Sequence, residues 1–279
     1  MSYKTLLVYV GAASQVPPLL RVCQHLAAQG DDVRVMGLHV VPQIPVYPDM
    51  AFMVTSEMVD LQRNALVEKC EQAAAAFRDQ AEQLGLDWQW RDCDANGKLV
   101  ADRVMEQGRS ADLIIGAQED PEADNESQQG VLEHVLMRGG RPVLLVPYAG
   151  EVTVLGERVV LAWNGSRESA RAAFDALPVL QQANTVELLW AKPADVEETD
   201  VAFDDIVESL ARHGVAIESH QMDQTDRVVG GDILARLDAQ GCDLLVMGAY
   251  GHSRFHELVF GGVTRHVLQH MRVPVMMSH

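Results

Sequence analysis

Glycines near the C-terminus have the spacing of a loop that could bind an anion. Gly248 and Gly251 follow an apolar run, and the segment 261–264 (GGVT) comes after nine further residues. Glycine lets a backbone approach a phosphate group without an intervening Cβ, and the unpaired amides of a helix start attract anions. The spacing therefore predicts a phosphate-binding glycine loop, residues 248–262, with the Thr264 hydroxyl as a further donor. The alternative is that these glycines only end a strand and begin a helix.

The elements around this glycine loop are those of a parallel α/β sheet. The run CDLLVMGA (242–249) predicts a strand directly before the loop, and a helix is predicted from Gly262 to Met271. Ligands of open α/β sheets bind beyond the carboxyl ends of the strands, where such a loop must lie. Further strands are predicted at RVVLAWN, TVELLWA, AIESHQM and VPVMMS, with helical stretches between them. This alternation favours right-handed crossovers between parallel strands.

The chain repeats itself at a shift of 132 residues. The segment 130–146 (GVLEHVLMRGGRPVLLV) aligns without a gap with 262–278 (GVTRHVLQHMRVPVMMS), sharing Gly, Val, His, Val, Leu, Pro and Val. The agreement predicts two similar units, with extra length in the first at about residues 42–64. We therefore expect an α/β fold of two tandem Rossmann-like units at residues 1–148 and 156–279. Each should contain a five-stranded, mainly parallel twisted sheet flanked by helices.

The composition disfavours several classes of partner. The 279 residues include 40 acidic and 22 basic side chains, a formal net charge of −18. Such a surface repels nucleic acids and anionic membranes. No apolar stretch is long enough to span a bilayer, and the first residues lack a signal-peptide pattern. Four scattered cysteines without a CxxC motif indicate reduced thiols, so we expect a cytoplasmic protein.

Other residues that could carry chemistry are less well supported. Two histidine pairs have the spacing of helical metal ligands, His252 with His256 and His266 with His270, but no acid or cysteine completes either site. We therefore expect no metal centre built from these histidines. The motifs GxSxG, HExxH and GxxxxGK[ST] are absent from the sequence, so no catalytic residues are predicted.

The pattern Gly-x-x-Gly-x9-Gly, matched by Gly248, Gly251 and Gly261, resembles that of universal stress protein (UspA-like) domains. The segments 246–251 (VMGAYG) and 261–277 (GGVTRHVLQHMRVPVMM) are similar to the last two strands of that family and the helix between them. The resemblance covers the whole chain in a tandem, two-domain form. It implies an adenine nucleotide alpha-hydrolase-like fold whose final strands pair antiparallel in an intramolecular pseudo-dimer. A homodimer of the tandem chain is a further expectation.

The resemblance also implies which residues contact a nucleotide. In nucleotide-binding members this loop holds the phosphates of ATP, an acid after the first strand contacts the nucleoside, and main chain at the end of the second strand meets adenine. The matching positions in this chain are Asn164, Ala191, Met247, Gly248, Gly251, Gly261, Gly262, Val263 and Thr264. ATP or AMP is the expected ligand, with Mg²⁺ as a further candidate.

Two positions of the second unit depart from the family pattern. Asn164 replaces the acid and supplies no carboxylate for Mg²⁺, and Gly262 stands where the pattern has a hydroxyl residue. The first unit departs further, because Glu119 and Gln129 occupy the positions of two loop glycines and the residues between them are rich in acids. A carboxylate-rich loop repels phosphate, so no ATP is expected there.

Three functions follow as hypotheses. The leading one is a cytoplasmic stress-response protein that binds an adenine nucleotide in its second unit and reports nucleotide state, with at most slow hydrolysis. The alternative is a scaffold without a nucleotide, which binds protein partners or a small apolar ligand through the first unit and its inserted segment 44–54 (IPVYPDMAFMV). A nucleotide alpha-hydrolase-like enzyme is the least favoured, because a Ser-Gly-Gly-x-Asp-type loop is missing.

Overall fold

The computed structural model describes residues 2–44, 55–122, 129–190, 201–221, 229–250 and 257–279. Within these residues the chain folds as an α/β protein with one ten-stranded sheet. The strands are β1 (Thr5–Tyr9), β2 (Arg34–Val41), β3 (Asp87–Asp94), β4 (Leu113–Ala117), β5 (Val143–Val146), β6 (Arg158–Trp163), β7 (Thr185–Trp190), β8 (Ile217–Gln221), β9 (Leu244–Gly248) and β10 (Val275–Ser278).

Helices connect these strands. They are α1 (Val16–Ala28), α2 (Ser56–Gln83), α3 (Val100–Gly108), α4 (Val131–Arg138), α5 (Arg167–Asp175), α6 (Leu177–Leu180), α7 (Val201–Arg212), α8 (Val229–Gln240) and α9 (Glu257–His270). Among the described residues, no helix combines the length and the apolar character that crossing a membrane requires.

The ten strands form two five-stranded halves with the same internal order. From one edge to the other the order is β3-β2-β1-β4-β5-β10-β9-β6-β7-β8. Neighbouring strands within each half are parallel. At the join, β5 and β10 are antiparallel, with Leu145 opposite Val275 and Val143 opposite Met277. The predicted fold is confirmed, and the final strands of the two halves pair as expected. We call residues 2–148 the N-half and residues 156–279 the C-half.

Each face of the sheet carries an apolar layer that runs through both halves. Leu6 of β1, Leu161 of β6 and Met276 of β10 belong to one layer. Their sequence neighbours Leu7 and Val160 belong to the other. Successive side chains of a strand point to opposite faces, so a sheet that is covered on both sides needs nearly continuous apolar strands. This explains why runs such as TLLVY and RVVLAW show no polar alternation.

Buried side chains add hydrogen bonds across the join. The Tyr3 hydroxyl of the N-half donates to the Asp175 carbonyl of the C-half at 2.8 Å. The Gln118 side chain, which is 4% exposed, donates from Nε2 to the Leu268 carbonyl near the end of α9 at 2.7 Å. The two halves therefore share buried polar contacts as well as an apolar core.

The long helix α2 packs against the two tryptophans of β3. It also accounts for part of the extra length of the N-half. It is capped by Thr55, whose side chain accepts a hydrogen bond from the Met58 amide at 3.3 Å. Near its other end, Phe77 packs against the rings of Trp88 and Trp90 at centroid distances of 6.2 and 5.2 Å. The tryptophans are thus packing residues. Most of the inserted segment 44–54 lies outside the described residues.

We predict that acidification destabilises the protein through His39. This residue of β2 is 3% exposed, with Nδ1 2.8 Å from the Val10 carbonyl oxygen. Burial lowers the pKa of His39, and this effect outweighs the opposing effects of the Val10 carbonyl and the Asp92 charge. The unfolded chain therefore binds the proton more tightly than the folded one. This contribution to stability is full above the unfolded pKa of about 6.5 and is lost as the pH falls toward the lower folded pKa.

Urea unfolding between pH 7 and pH 5 measures this effect. His39→Asn keeps a donor for the Val10 carbonyl but does not titrate, so its unfolding free energy should fall by about 1 kcal/mol less than that of the wild type over this range. The exposed His213→Asn serves as the control. An unchanged pH dependence in His39→Asn would rule out this residue as the cause.

Candidate functional site

The ends of β6 and β9 lie side by side at the carboxyl edge of the C-half. Ala162 is opposite Met247 in the parallel pair, so the structure brings Asn164 and Gly248 together at this edge. The Met247 side chain is 5% exposed and packs in the same apolar layer as Val267. Only the main chain of Met247 is therefore available to a ligand.

Asn164 shapes the turn that leads into α5. Its Oδ1 accepts a hydrogen bond from the Ser166 amide at 3.1 Å, and the Ser166 hydroxyl oxygen caps the helix by accepting from the Ser169 amide at 3.2 Å. Gly165 between them has φ +75°, a conformation that favours glycine. The Asn164 oxygen is thus engaged in the turn, and its Nδ2 group is the donor that can face a ligand.

A buried donor lies at the same edge, in the indole of Trp163. This residue is 6% exposed, and its Nε1 has no hydrogen-bond partner among the described residues. A buried N–H without a partner is costly and uncommon. Trp190 of β7, opposite Trp163 in the register, packs edge-to-face on Phe203 with ring centroids 4.8 Å apart. Trp163 therefore brings a buried polar atom into the apolar layer at this edge.

Gly248 is required by packing. A Cβ at this position would lie 2.5 Å from the Ser169 amide nitrogen and 2.6 Å from the Glu168 carbonyl carbon. Both atoms belong to the backbone of α5, which cannot move aside as a flexible side chain can. The first turn of α5 is thereby held against the end of β9. The structure therefore requires Gly248 for packing against α5, whereas the sequence predicted it for the close approach of a phosphate.

Glu168 is a buried carboxylate that sequence analysis did not single out. Its side chain is 6% exposed and its Oε1 lies 2.7 Å from the Arg167 guanidinium. Burial raises the pKa of Glu168, but its own backbone amide, Arg167 and His279 together hold the pKa below its usual value. The group is therefore ionised at neutral pH. In the sequence it looks like an ordinary acid in the first turn of a helix, so no signal marked it.

Tyr250 connects the glycine loop to α9 and to the N-half. Its φ of +53° is uncommon for a residue other than glycine. Its amide donates to the Thr264 hydroxyl oxygen at 3.4 Å, and its own hydroxyl is near enough to the Glu133 carboxylate of α4 for that charge to affect its pKa. Burial first, and the Glu133 charge next, raise the pKa of Tyr250 to about 12. Thr264 is 3% exposed, so the hydroxyl predicted to meet a phosphate holds the loop in this structure.

The predicted start of the last helix is wrong. α9 begins at Glu257, so residues 261–263 lie inside the helix and not at its first amides. The segment 257–260 (ELVF) contains neither glycine nor proline, so helical hydrogen bonding extends beyond the glycine pair. In the N-half, α4 begins at Val131 after Gly130 in the left-handed conformation, φ +68°. At the equivalent position of the repeat, the N-half therefore has the helix start that was predicted for the C-half.

The N-half places its own carboxylate at this helix start. Glu119 Oε1 accepts a hydrogen bond from the Gly130 amide, immediately before α4. A carboxylate there interacts with the positive end of the helix as a phosphate would. The expectation that this loop rejects phosphate thus gains a second physical cause besides like-charge repulsion, because the amide is already bonded.

The remaining predicted residues divide into two groups. Residues 251–256 and Ala191 lie outside the described residues, so the binding roles of Gly251 and Ala191 stay predictions. His266 and His270 stack within α9 with centroids 4.3 Å apart, and His270 Nδ1 lies 2.9 Å from the His266 carbonyl oxygen. No group of three or more His, Cys, Asp or Glu is arranged to hold a metal within the part of the chain that the structure describes.

Comparison with known proteins gives one family match, which covers the C-half, and structural matches to the whole chain or to part of it. Residues 156–279 match the model of the universal stress protein family. No curated protein matches the chain significantly. A universal stress protein from Archaeoglobus fulgidus DSM 4304 has a similar structure, with 16% identity over 98% of this chain and 95% of its own, and a TM-score of 0.71. A candidate universal stress protein from Pseudomonas aeruginosa UCBPP-PA14 matches with 14% identity over 99% and 93%, at a TM-score of 0.59.

A third structure, a universal stress protein in complex with cAMP, matches 44% of this chain and 96% of its own with 21% identity and a TM-score of 0.36. The fold and the edge of β6 and β9 define a tandem α/β protein with a Rossmann-type sheet in each half. Residues 156–279, which contain this edge, form a domain that matches the universal stress protein family.

Two glycine substitutions test the packing assignment by opposite effects on stability. Gly248→Ala forces a Cβ into the backbone of α5 and should lower the unfolding free energy by about 1–3 kcal/mol. Gly262→Ala lies within α9 with no atom within 4 Å of the added Cβ, so it should raise the unfolding free energy by about 0.5–1 kcal/mol. Chemical denaturation measures both. Equal stabilities of the two variants would show that Gly248 is not constrained by α5.

Proposed function

We propose that the C-half binds an adenine nucleotide at the carboxyl edge of β6 and β9. The observation that carries this proposal is the position of the Gly-x-x-Gly-x9-Gly pattern, which begins at the end of β9 beside Asn164. The family match over residues 156–279 includes the whole pattern. The buried Trp163 N–H, which has no partner among the described residues, lies at the same edge.

Each part of this edge has a proposed role. The glycine loop binds the phosphates, the Asn164 Nδ2 group donates to the nucleoside, and the main chain of Ala191 meets adenine. Gly248 supports the loop by packing against α5. Met247 contributes its main chain only, because its side chain belongs to the core.

The amides of residues 261–264 become available to a phosphate only when the first turn of α9 opens. In a helix that begins at Glu257, these amides bond to carbonyls one turn earlier. α4 starts at the equivalent of Val263, so the same fold accommodates the shorter helix. We therefore propose that nucleotide binding unwinds the first turn of α9, so that the helix begins at about residue 262. The free energy of opening that turn lowers the observed affinity.

The described residues of this site do not fit a protein-held Mg²⁺. Asn164 is neutral and its Oδ1 is bonded to the Ser166 amide. Glu168 is ionised but buried and paired with Arg167. Neither group offers the exposed carboxylate that Mg²⁺ prefers. We propose that the protein reads the nucleotide state of the cytoplasm as a stress-response regulator, without rapid hydrolysis.

The units of this regulator are proposed as residues 1–148 and 156–279, with the segment between β5 and β6 as the linker. Asp112 and Asp243 support this division, because each precedes the fourth strand of its half and binds the amides at the beginning of the first. Asp112 accepts from the Lys4 and Thr5 amides, and Asp243 accepts from the Arg158 amide at 3.0 Å.

Calorimetric titration with ATP tests the proposed site through Gly262. Gly262→Ser introduces the hydroxyl of the family pattern where there is room for a Cβ, and Gly262→Ala adds the same Cβ without the hydroxyl. We expect Gly262→Ser to bind ATP about threefold to tenfold more tightly than Gly262→Ala, the effect of one added hydrogen bond. The proposal fails if neither ATP nor AMP binds the wild-type protein saturably at about 1 mM.

A second titration introduces into the C-half loop the carboxylate that occupies the helix start in the N-half. Gly251→Glu places a carboxylate at the position of Glu119, which bonds the helix-start amide of the N-half. We expect it to weaken ATP binding about tenfold or more relative to Gly251→Gln, which has the same shape without the charge. Equal binding by the two variants would show that position 251 does not face the phosphates.

A further inference from the structure

A cavity of about 470 Å³ lies at the carboxyl edge of the N-half. Part of its wall is apolar and consists of Leu132 of α4, Leu145 of β5 and Leu268 of α9. Because Leu268 belongs to the C-half, the last turn of α9 completes the cavity. Its volume is in the range of sites that hold small organic molecules.

The other walls carry negative charge. Glu119, Asp120 and Glu133 line the cavity, and its described lining contains neither lysine nor arginine. Among these lining residues His270 alone can become a cation. Carboxylates beside apolar walls create a negative potential that water and salt screen less than on an open surface. The cavity therefore attracts a positive group and disfavours a phosphate or a carboxylate.

Tyr9 adds a phenol group to the wall of this cavity. It lines the cavity and is 5% exposed. Burial first, and the Glu119 charge next, raise the pKa of Tyr9, so it stays a neutral phenol. Its oxygen can accept a hydrogen bond from an ammonium group, and the face of its ring attracts cations.

The backbone donors nearest the acids are already bonded within the protein. Glu119 accepts from the Gly130 amide, and Asp120 Oδ1 accepts from the Glu122 amide at 2.9 Å. Each carboxylate keeps further lone pairs for a second donor. The acidic part of the cavity wall thus presents acceptors to a ligand, whereas a phosphate-binding site must present donors.

We infer that this cavity binds a small organic cation with an apolar body, of the arylalkylammonium class. The ammonium group is held by Asp120 and Glu133 and donates to the Tyr9 hydroxyl oxygen, while the apolar body lies against the leucines. The inference does not depend on a nucleotide in the C-half, and each proposal can fail without the other.

Isothermal titration of the full-length protein with tryptamine tests this site. Indole-3-propionate is the matched control ligand, because it has nearly the same shape and the opposite charge. We expect saturable binding of tryptamine and affinity for indole-3-propionate at least about tenfold lower. The Gly251→Glu variant should bind tryptamine as the wild type does, which separates this site from the proposed nucleotide site.

Paired charge changes locate the binding within the protein. Asp120→Asn combined with Glu133→Gln removes two charges from the cavity and should weaken tryptamine binding about tenfold. Asp60→Asn combined with Glu82→Gln removes the same charge from exposed positions of α2 and should change it less than about twofold. Tyr9→Phe gives a second readout that leaves all charges in place, and it should weaken binding about threefold.

Several results would overturn the inference. Tryptamine and indole-3-propionate could bind equally, both double variants could weaken tryptamine equally, or the wild type could show no saturable binding of tryptamine. Tighter binding of ATP by Asp120→Asn combined with Glu133→Gln than by the wild type, with tryptamine unaffected, would also contradict a cation site.

Discussion

The antiparallel pairing of β5 and β10 is the interaction on which the rest of the molecule depends. It joins two sheet edges whose N–H and C=O groups would otherwise be unpaired. It also lets both apolar layers continue from one half into the other, so that Leu144 and Met276 are buried by residues of both halves. The Tyr3 bond to Asp175 and the wall of the N-half cavity exist only because this join is made.

The two halves use one backbone plan and differ in the residues of the loop after the fourth strand. In both, the fourth strand leads through a loop into a helix that returns to the fifth strand. In the N-half the loop supplies Glu119, which neutralises the helix start from within. In the C-half the equivalent residue is glycine, so that position supplies no carboxylate. A fold that is doubled in this way can divide its binding chemistry between halves by changing a few side chains.

Local signals in the sequence predicted the architecture, and long-range contacts account for what they missed. Apolar runs identified the strands, and the repeat aligned Val143 with Val275, which begin β5 and β10. The packing reason for Gly248 depends on α5, about 80 residues earlier in the chain. The influence of Glu133 on Tyr250 acts between different halves, and the cavity wall at Leu268 also joins them. α9 begins earlier than the glycine pair predicts, because the residues before the glycines can also form a helix.

Strand direction reverses at the centre of the sheet, between β5 and β10. The carboxyl ends of the N-half strands therefore point one way and those of the C-half strands the other. α9 has 14 residues and is about 21 Å long, and it runs from the carboxyl edge of the C-half to the cavity at the carboxyl edge of the N-half. One end adjoins the glycine loop, and the other is clamped by Gln118 beside Leu268. One helix thus takes part in both carboxyl edges, with its start next to the proposed nucleotide loop and its last turn in the wall of the N-half cavity.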